Sequence, residues 1–190
     1  MIEVSRLKRK PHAQSGLIKS HLVYHGPLFD VRNDRVREPG GIVAMRDVVV
    51  HYGSVVLLPI LDDGRILLVR QYRHAAGRSL WELVAGRIER SERPAAAAQR
   101  ELLEETGYEG RRFRRLIEFF PSPGFVTERM VVYLAQGLKA GKARPEADEK
   151  IRVGAFRLAD IENRIRRGAI RDGKTIAGLL FYSRFIAHKP

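Results

Sequence analysis

Cysteine is missing altogether from the 190 residues, so neither a disulfide framework nor a thiolate metal site is open to this chain, and nothing asks for an oxidising compartment. Long apolar runs are missing as well. The longest, Ser54 to Leu61 (SVVLLPIL), is far short of the ~20 residues a bilayer-crossing helix needs. The stretch MIEVSRLKRKPHAQSG at the start holds no apolar segment of signal-peptide length. The expectation is a cytosolic (cytoplasmic) protein with no membrane partner. Acid is scarce too: 22 Asp and Glu stand against 35 Lys and Arg, a formal net charge of +13.

What is present suits a soluble globule with a core, since 44% of residues are hydrophobic and 30% charged, which excludes a disordered chain. The basic excess attracts polyanions, whether nucleic acid, acidic lipid or a phosphorylated small molecule. The cations are spread out, at Lys8 to Lys10, Arg111 to Arg115 and Arg164 to Arg167, without the aromatic interleaving of a single-strand nucleic-acid platform. Most of them therefore read as solvated faces.

Strand-like segments come first: HLVYH, LFDVRNDRVR and IVAMRDVVVHY, separated by His25-Gly26-Pro27 and Pro39-Gly40-Gly41. SVVLLPI and RILLVRQY flank Asp62-Asp63-Gly64, where Asp-Gly suits a tight β-hairpin. After Gly86 the period changes to helical. Pro94 fits a first turn, Ala95 to Ala98 favour helix, and Gly107 lies where a left-handed cap ends one. FRRLIEFF, RMVVYLAQGL and KIRVGAFRL read as further strands. Two closing helices are expected near Ala159 to Arg167 and Lys174 to Ala187, the second with Ile176, Leu179, Leu180 and Phe185 inward. The class is α+β, with an N-terminal β extension at 1–52 and the main domain at 53–190.

Against this basic background, the helix expected after Pro94 gathers acids. Glu101, Glu104 and Glu105 are related by i, i+3 and i+4, which puts them on one helix face about 6 Å apart. At an effective dielectric of 20, each like-charge pair costs roughly 2 to 3 kcal/mol before screening. Their place in the last turn, at the negative end of the helix dipole, adds to that cost. A divalent cation accounts for the arrangement: hard carboxylate oxygens suit magnesium, which keeps its other positions for water and phosphate. Arg100, four residues before Glu104, can pair with it, and Glu92 can reach back to Arg100 or to the loop.

The full pattern runs Gly86, Glu92, Arg100-Glu101-Leu102, Glu104-Glu105 and Gly107, followed by Tyr108. Eight fixed positions at about 7% each give a chance match on the order of one in ten million. The pattern resembles the Nudix box, the signature of the Nudix hydrolases, apart from Tyr108 at a usually aliphatic position. The resemblance implies an α/β/α sandwich around a mixed β-sheet, and hydrolysis of pyrophosphate bonds in nucleoside diphosphates linked to another moiety, with Mg2+ or Mn2+. It implies Glu101 and Glu105 as metal ligands, with the Ala85 carbonyl as a third, and Glu104 and Arg100 in support. Gly86, Glu92 and Gly107 would be structural members.

Outside the box, LLPILDDGRILLVRQYRHAAGRSLWELVAGRIE and SPGFVTE, with Pro123 sixteen residues past Gly107, resemble the ADP-ribose pyrophosphatase branch. That likeness implies hydrolysis of ADP-ribose to AMP and ribose 5-phosphate, or of a related nucleotide sugar. It implies Arg73 on substrate phosphates, Glu128 near the terminal ribose and Arg46 at the adenine, with Phe29 as a substitute for the usual stacking aromatic. The general base, or a further metal ligand, would come from PEADEKIRV, with Glu149 matching best and Glu146 as the alternative. Members of the branch exchange N-terminal strands between subunits, so a homodimer is expected. The competing reading is a basic nucleic-acid-binding module on the same scaffold with little turnover.

Two further patterns are set aside. Gly168 to Thr175 (GAIRDGKT) satisfies a phosphate-loop pattern, but no buried strand precedes it and too little chain follows for a parallel sheet; it reads as a turn and helix start. His21 and His25 suit a metal only on a helix, and SHLVYH reads as strand.

Overall fold

The computed structural model describes residues 16–141 and 151–187, which divide into two compact units. The smaller comprises 16–51 and 122–127. In it β1 (Gly16–His25), β2 (Asp30–Arg37) and β3 (Val43–Val50) form an antiparallel sheet in that order. Polar pairs tie its strands: Ser20 Oγ donates to Asp34 Oδ1 at 2.5 Å and Asn33 Nδ2 to Asp47 Oδ1 at 2.7 Å. The SPGFVT stretch joins this unit through β3. Val49 N donates to the Phe125 carbonyl at 2.8 Å, Thr127 N to the Val49 carbonyl at 2.9 Å, and His51 N to Thr127 Oγ1 at 2.9 Å.

The larger unit, 52–121 with 128–141 and 151–187, holds the core. Its strands are β4 (Ser54–Pro59), β5 (Ile66–Arg73), β6 (Arg78–Glu82), β7 (Val84–Arg87), β8 (Tyr108–Phe119), β9 (Met130–Ala140) and β10 (Arg152–Phe156). They form a four-stranded sheet, β7-β4-β9-β8, and a three-stranded sheet, β10-β5-β6. Pairing of β4 with β9 is parallel and the rest antiparallel, so the sheet system is mixed, as expected. Strand β4 is buried along its whole length because its faces serve two cores. Val56 and Leu58 meet Ile161, Ile170 and Leu179, while Val55 and Leu57 meet Ala97, Ala98 and Leu102. Helix α1 (Pro94–Thr106) covers the second core; α2 (Leu158–Arg166) and α3 (Gly173–Tyr182) cover the first. No described helix is long and apolar enough to cross a membrane.

Two local expectations are corrected. Asp62-Asp63-Gly64 forms a turn, with Gly64 at φ 82° and Leu61 N donating to the Arg65 carbonyl at 2.9 Å, but only Ile60 and Ile66 bridge beyond it. Both edges of β4 are taken, by β7 and β9, so β5 leaves for the other sheet. In α3 the inward face is Thr175, Gly178 and Leu179, whereas Leu180 is 46% exposed and Phe185 54%. Gly178 sets this: a Cβ there would lie 3.0 Å from Leu83 Cδ1, so the helix lies close against the core at that turn. Strands β6 and β7 are not legible in the sequence, because RSLWELVAGR has no turn signal separating them.

Candidate active site

Helix α1 starts with Pro94 in its first turn and stops at Gly107, whose left-handed φ of 74° lets its N–H cap the Leu103 carbonyl at 2.8 Å. Three acids are arranged around Arg100: Glu92 just before the helix, and Glu101 and Glu104 on it. Nε and Nη2 of Arg100 donate to the two oxygens of Glu92 at 3.1 and 3.0 Å. Nη1 donates to Glu101 Oε1 at 2.6 Å and Glu104 Oε2 at 3.0 Å, and Nη2 also reaches the Arg87 carbonyl at 3.0 Å. Glu92 does both things open to it, since its Oε2 accepts from Glu89 N at 3.0 Å as well. Hydrogen bonding from Arg100 holds the Glu92 carboxyl below the usual carboxylate range, and the same pairing holds the Arg100 guanidinium far above its ordinary value. Among the described residues only Ser91 has positive φ outside glycine, at 68°; its turn brings Glu92 round to the helix.

Glu101 turns toward β7. A Cβ built on Gly86 would lie 1.9 Å from Glu101 Cδ and 2.0 Å from Oε1, so the carboxylate occupies the space a side chain would take. Gly86 pairs with Val55 and Ala85 with Val56, which fixes this backbone against β4. One turn on, Glu105 is buried, 6% exposed. Among the described residues no three Asp, Glu or His side chains converge as a ready metal cage. The donor set is instead two low-exposure carboxylates, one of them packed directly on the Gly86 backbone. Those hard oxygens, kept close by a glycine, fit a divalent cation such as Mg2+.

A second charge cluster lies on β5, β6 and α3. Arg73 grips Glu82 at two points, Nε to Oε1 at 2.9 Å and Nη2 to Oε2 at 2.8 Å. Glu82, 1% exposed, also accepts from Lys174 Nζ at 2.5 Å. Burial pushes the Glu82 carboxyl up, but Arg73 and Lys174 outweigh it, and the net displacement is downward. The Arg73 guanidinium is raised, first by its hydrogen bonds to Glu82 and to a lesser degree by the charges of Glu105 and Asp172. Arg73 thus feels the buried acid of α1. By sequence alone Lys174 and Thr175 belong to a phosphate-loop pattern without a use, and Glu82 has no assigned role. An acid inside the apolar run LWELV was the available signal.

The remaining expected residues fall in several places. Glu128 accepts from Ser54 Oγ at 2.5 Å, at the start of β4. Arg46 lies in the smaller unit, held by Glu38 through Nε at 3.0 Å and Nη2 at 2.6 Å. Phe29, 41% exposed, meets Tyr24 with ring centroids 5.9 Å apart, and Tyr24 was not among the expected residues. Glu146 and Glu149 lie outside the described residues. The phosphate-loop pattern is a helix start, as expected: Asp172 caps α3 by accepting from Thr175 N at 3.0 Å. His25 lies on strand β1 and pairs with Asp30 at 2.6 Å.

The NUDIX domain family model matches residues 51–179. ADP-ribose pyrophosphatase of Mycobacterium tuberculosis (strain ATCC 25618 / H37Rv) is 40% identical over 167 residues, covering 86% of this chain and 80% of that protein. ADP-ribose pyrophosphatase of Bacillus subtilis (strain 168) is 33% identical over 160 residues, covering 83% of this chain and 86% of that one. A solved crystal structure of an ADP compounds hydrolase superposes with a TM-score of 0.78 at 19% identity, covering 92% of this chain and 95% of that chain. At that identity the likeness speaks for the fold.

Proposed function

The chain belongs to the Nudix hydrolase family, and from that premise we propose that it hydrolyses the pyrophosphate bond of ADP-ribose, to AMP and ribose 5-phosphate, or that of a closely related nucleoside diphosphate sugar. The observation that carries this reading is the seating of Glu101 against Gly86 and of Glu105 in the buried turn beside it. It is supported by the 40% identity to a mycobacterial ADP-ribose pyrophosphatase over most of both chains.

Bound Mg2+, or Mn2+ in its place, would neutralise the diphosphate and orient a water for in-line attack. Glu101 and Glu105 would hold it, with the Ala85 carbonyl as a third donor. Arg100 holds Glu101 in place while tying down Glu104 and Glu92. Arg73 binds the substrate phosphates, its guanidinium plane set by Glu82. Glu128 addresses the terminal ribose, and Arg46 and Phe29 the adenine. The proton of the attacking water goes to Glu149 or Glu146. The basic surface draws in the anionic substrate.

The active form is a homodimer built through the N-terminal strands. Supporting this, every residue of β1 is exposed, including the apolar Leu17, Ile18, Leu22, Val23 and Tyr24, side chains that a partner would cover. The absence of cysteine suits the reducing cytoplasm.

A panel of nucleoside diphosphate compounds, assayed with and without Mg2+, tests the assignment. ADP-ribose should release AMP and ribose 5-phosphate only with the metal, and Glu105→Gln should not turn over. A chain that hydrolyses none of the panel, but binds RNA with a steep salt dependence untouched by Glu105→Gln, would be a nucleic-acid module instead.

A further inference from the structure

The stretch that imitates a phosphate loop has been put to another use. Asp172 Oδ2 accepts from both the N–H and the hydroxyl of Thr175, at 3.0 and 2.5 Å, and Thr175 Oγ1 in turn accepts from Leu83 N at 2.8 Å. Asp172 Oδ1 accepts from Lys174 Nζ at 2.9 Å, and that ammonium, 10% exposed, makes its other bond to Glu82 Oε2. Adjacent residues 82 and 83 are therefore pinned to adjacent residues of α3. Glu82 then presents both oxygens to one edge of Arg73, Nε and Nη2.

We propose that Lys174 is a positioning residue for Arg73: it anchors the Glu82 carboxylate that orients the guanidinium toward substrate phosphate. This rests on reading Arg73 as a phosphate contact. The physical argument has two parts. A carboxylate 1% exposed can swing only as far as its partners allow, and Lys174 is the partner that holds Oε2 from the side of α3. By sharing the negative charge of Glu82, Lys174 also leaves more of the Arg73 charge for an incoming anion, in surroundings where low dielectric magnifies the difference.

The test uses the full chain and a double-mutant cycle. Lys174→Met keeps the stem and removes the charge. It should raise KM for ADP-ribose roughly tenfold with little change in kcat, and should add nothing when Arg73→Ala is already present. A KM penalty that adds in full to that of Arg73→Ala, or a loss confined to kcat and Tm, overturns the proposal. If Lys174→Met does not fold, Glu82→Gln, of the same shape, is put through the same cycle and judged by the same results. A readout free of substrate separates this inference from the activity it builds on. The Arg73 Nε–H resonance, assigned by its loss in Arg73→Ala, should be protected from exchange in the native protein and lose that protection in Lys174→Met or Glu82→Gln. An unchanged resonance refutes the positioning role whatever the substrate is. A changed resonance with KM insensitive to Arg73→Ala instead sinks the phosphate-contact reading and leaves the positioning role standing.

Discussion

Gly86 and Glu101 occupy each other's space: a methyl group on the glycine would lie 1.9 Å from the carboxyl carbon of the glutamate. The clash is with the far end of a flexible side chain, so the fold can relieve it by moving Glu101. Gly86→Ala should therefore cost about 1 kcal/mol or less in unfolding free energy. The same movement pulls Glu101 from its seat, and turnover should fall on the order of a hundredfold. Urea denaturation alongside steady-state kinetics measures both.

Glu105→Gln tests the metal seat directly. It replaces a carboxylate that is 6% exposed in the last turn of α1 by a neutral amide of the same shape, which is a far poorer ligand for a hard divalent cation. Losing a ligand outright should cost more than the 10- to 100-fold typical of an outer partner, so Mg2+-dependent turnover should fall by at least about a hundredfold. Calorimetric Mg2+ titration should show binding lost in the variant.

Arg100 serves three carboxylates and a carbonyl at once, which a lysine cannot do from a single point charge. Arg100→Lys should lower stability by about 1 to 3 kcal/mol, since it leaves partly buried acids without their partner. Chemical denaturation at neutral pH gives the number directly.

The acid limb of stability follows from the same pairs. Glu92 and Glu82 both titrate lower in the folded chain than when unfolded. The stability they contribute is present above the ordinary carboxylate range and is lost as pH falls through their depressed folded values. The midpoint of denaturation should therefore drop steeply below about pH 4, and the slope should be shallower in Glu92→Gln. A pH series of denaturation curves decides it.

Val23, 60% exposed on β1, gives a test of the dimer. Light scattering should give twice the 21.6 kDa chain mass for the native protein. Val23→Asp should shift it toward the monomer, because a buried unpaired charge opposes association. A native monomer at micromolar concentration would rule the homodimer out.

Helix α1, its Pro94 start, its Gly107 stop and the crowding of Glu101, Glu104 and Glu105 were all legible in the sequence, because they depend on spacing within a few residues and on the 3.6-residue period. So was the pairing of Arg100 with Glu104, one turn along the same helix. What only the tertiary structure decided involves residues far apart in the chain. Glu82 and Lys174 meet across 92 positions, Gly86 makes room for a carboxylate fifteen residues on, and β4 and β5, joined by a tight turn, go to different sheets because β4 has no edge left to offer. Local pattern sets which element a segment becomes. Which charges then share a buried site is set by the packing of those elements, and no short-range periodicity encodes it.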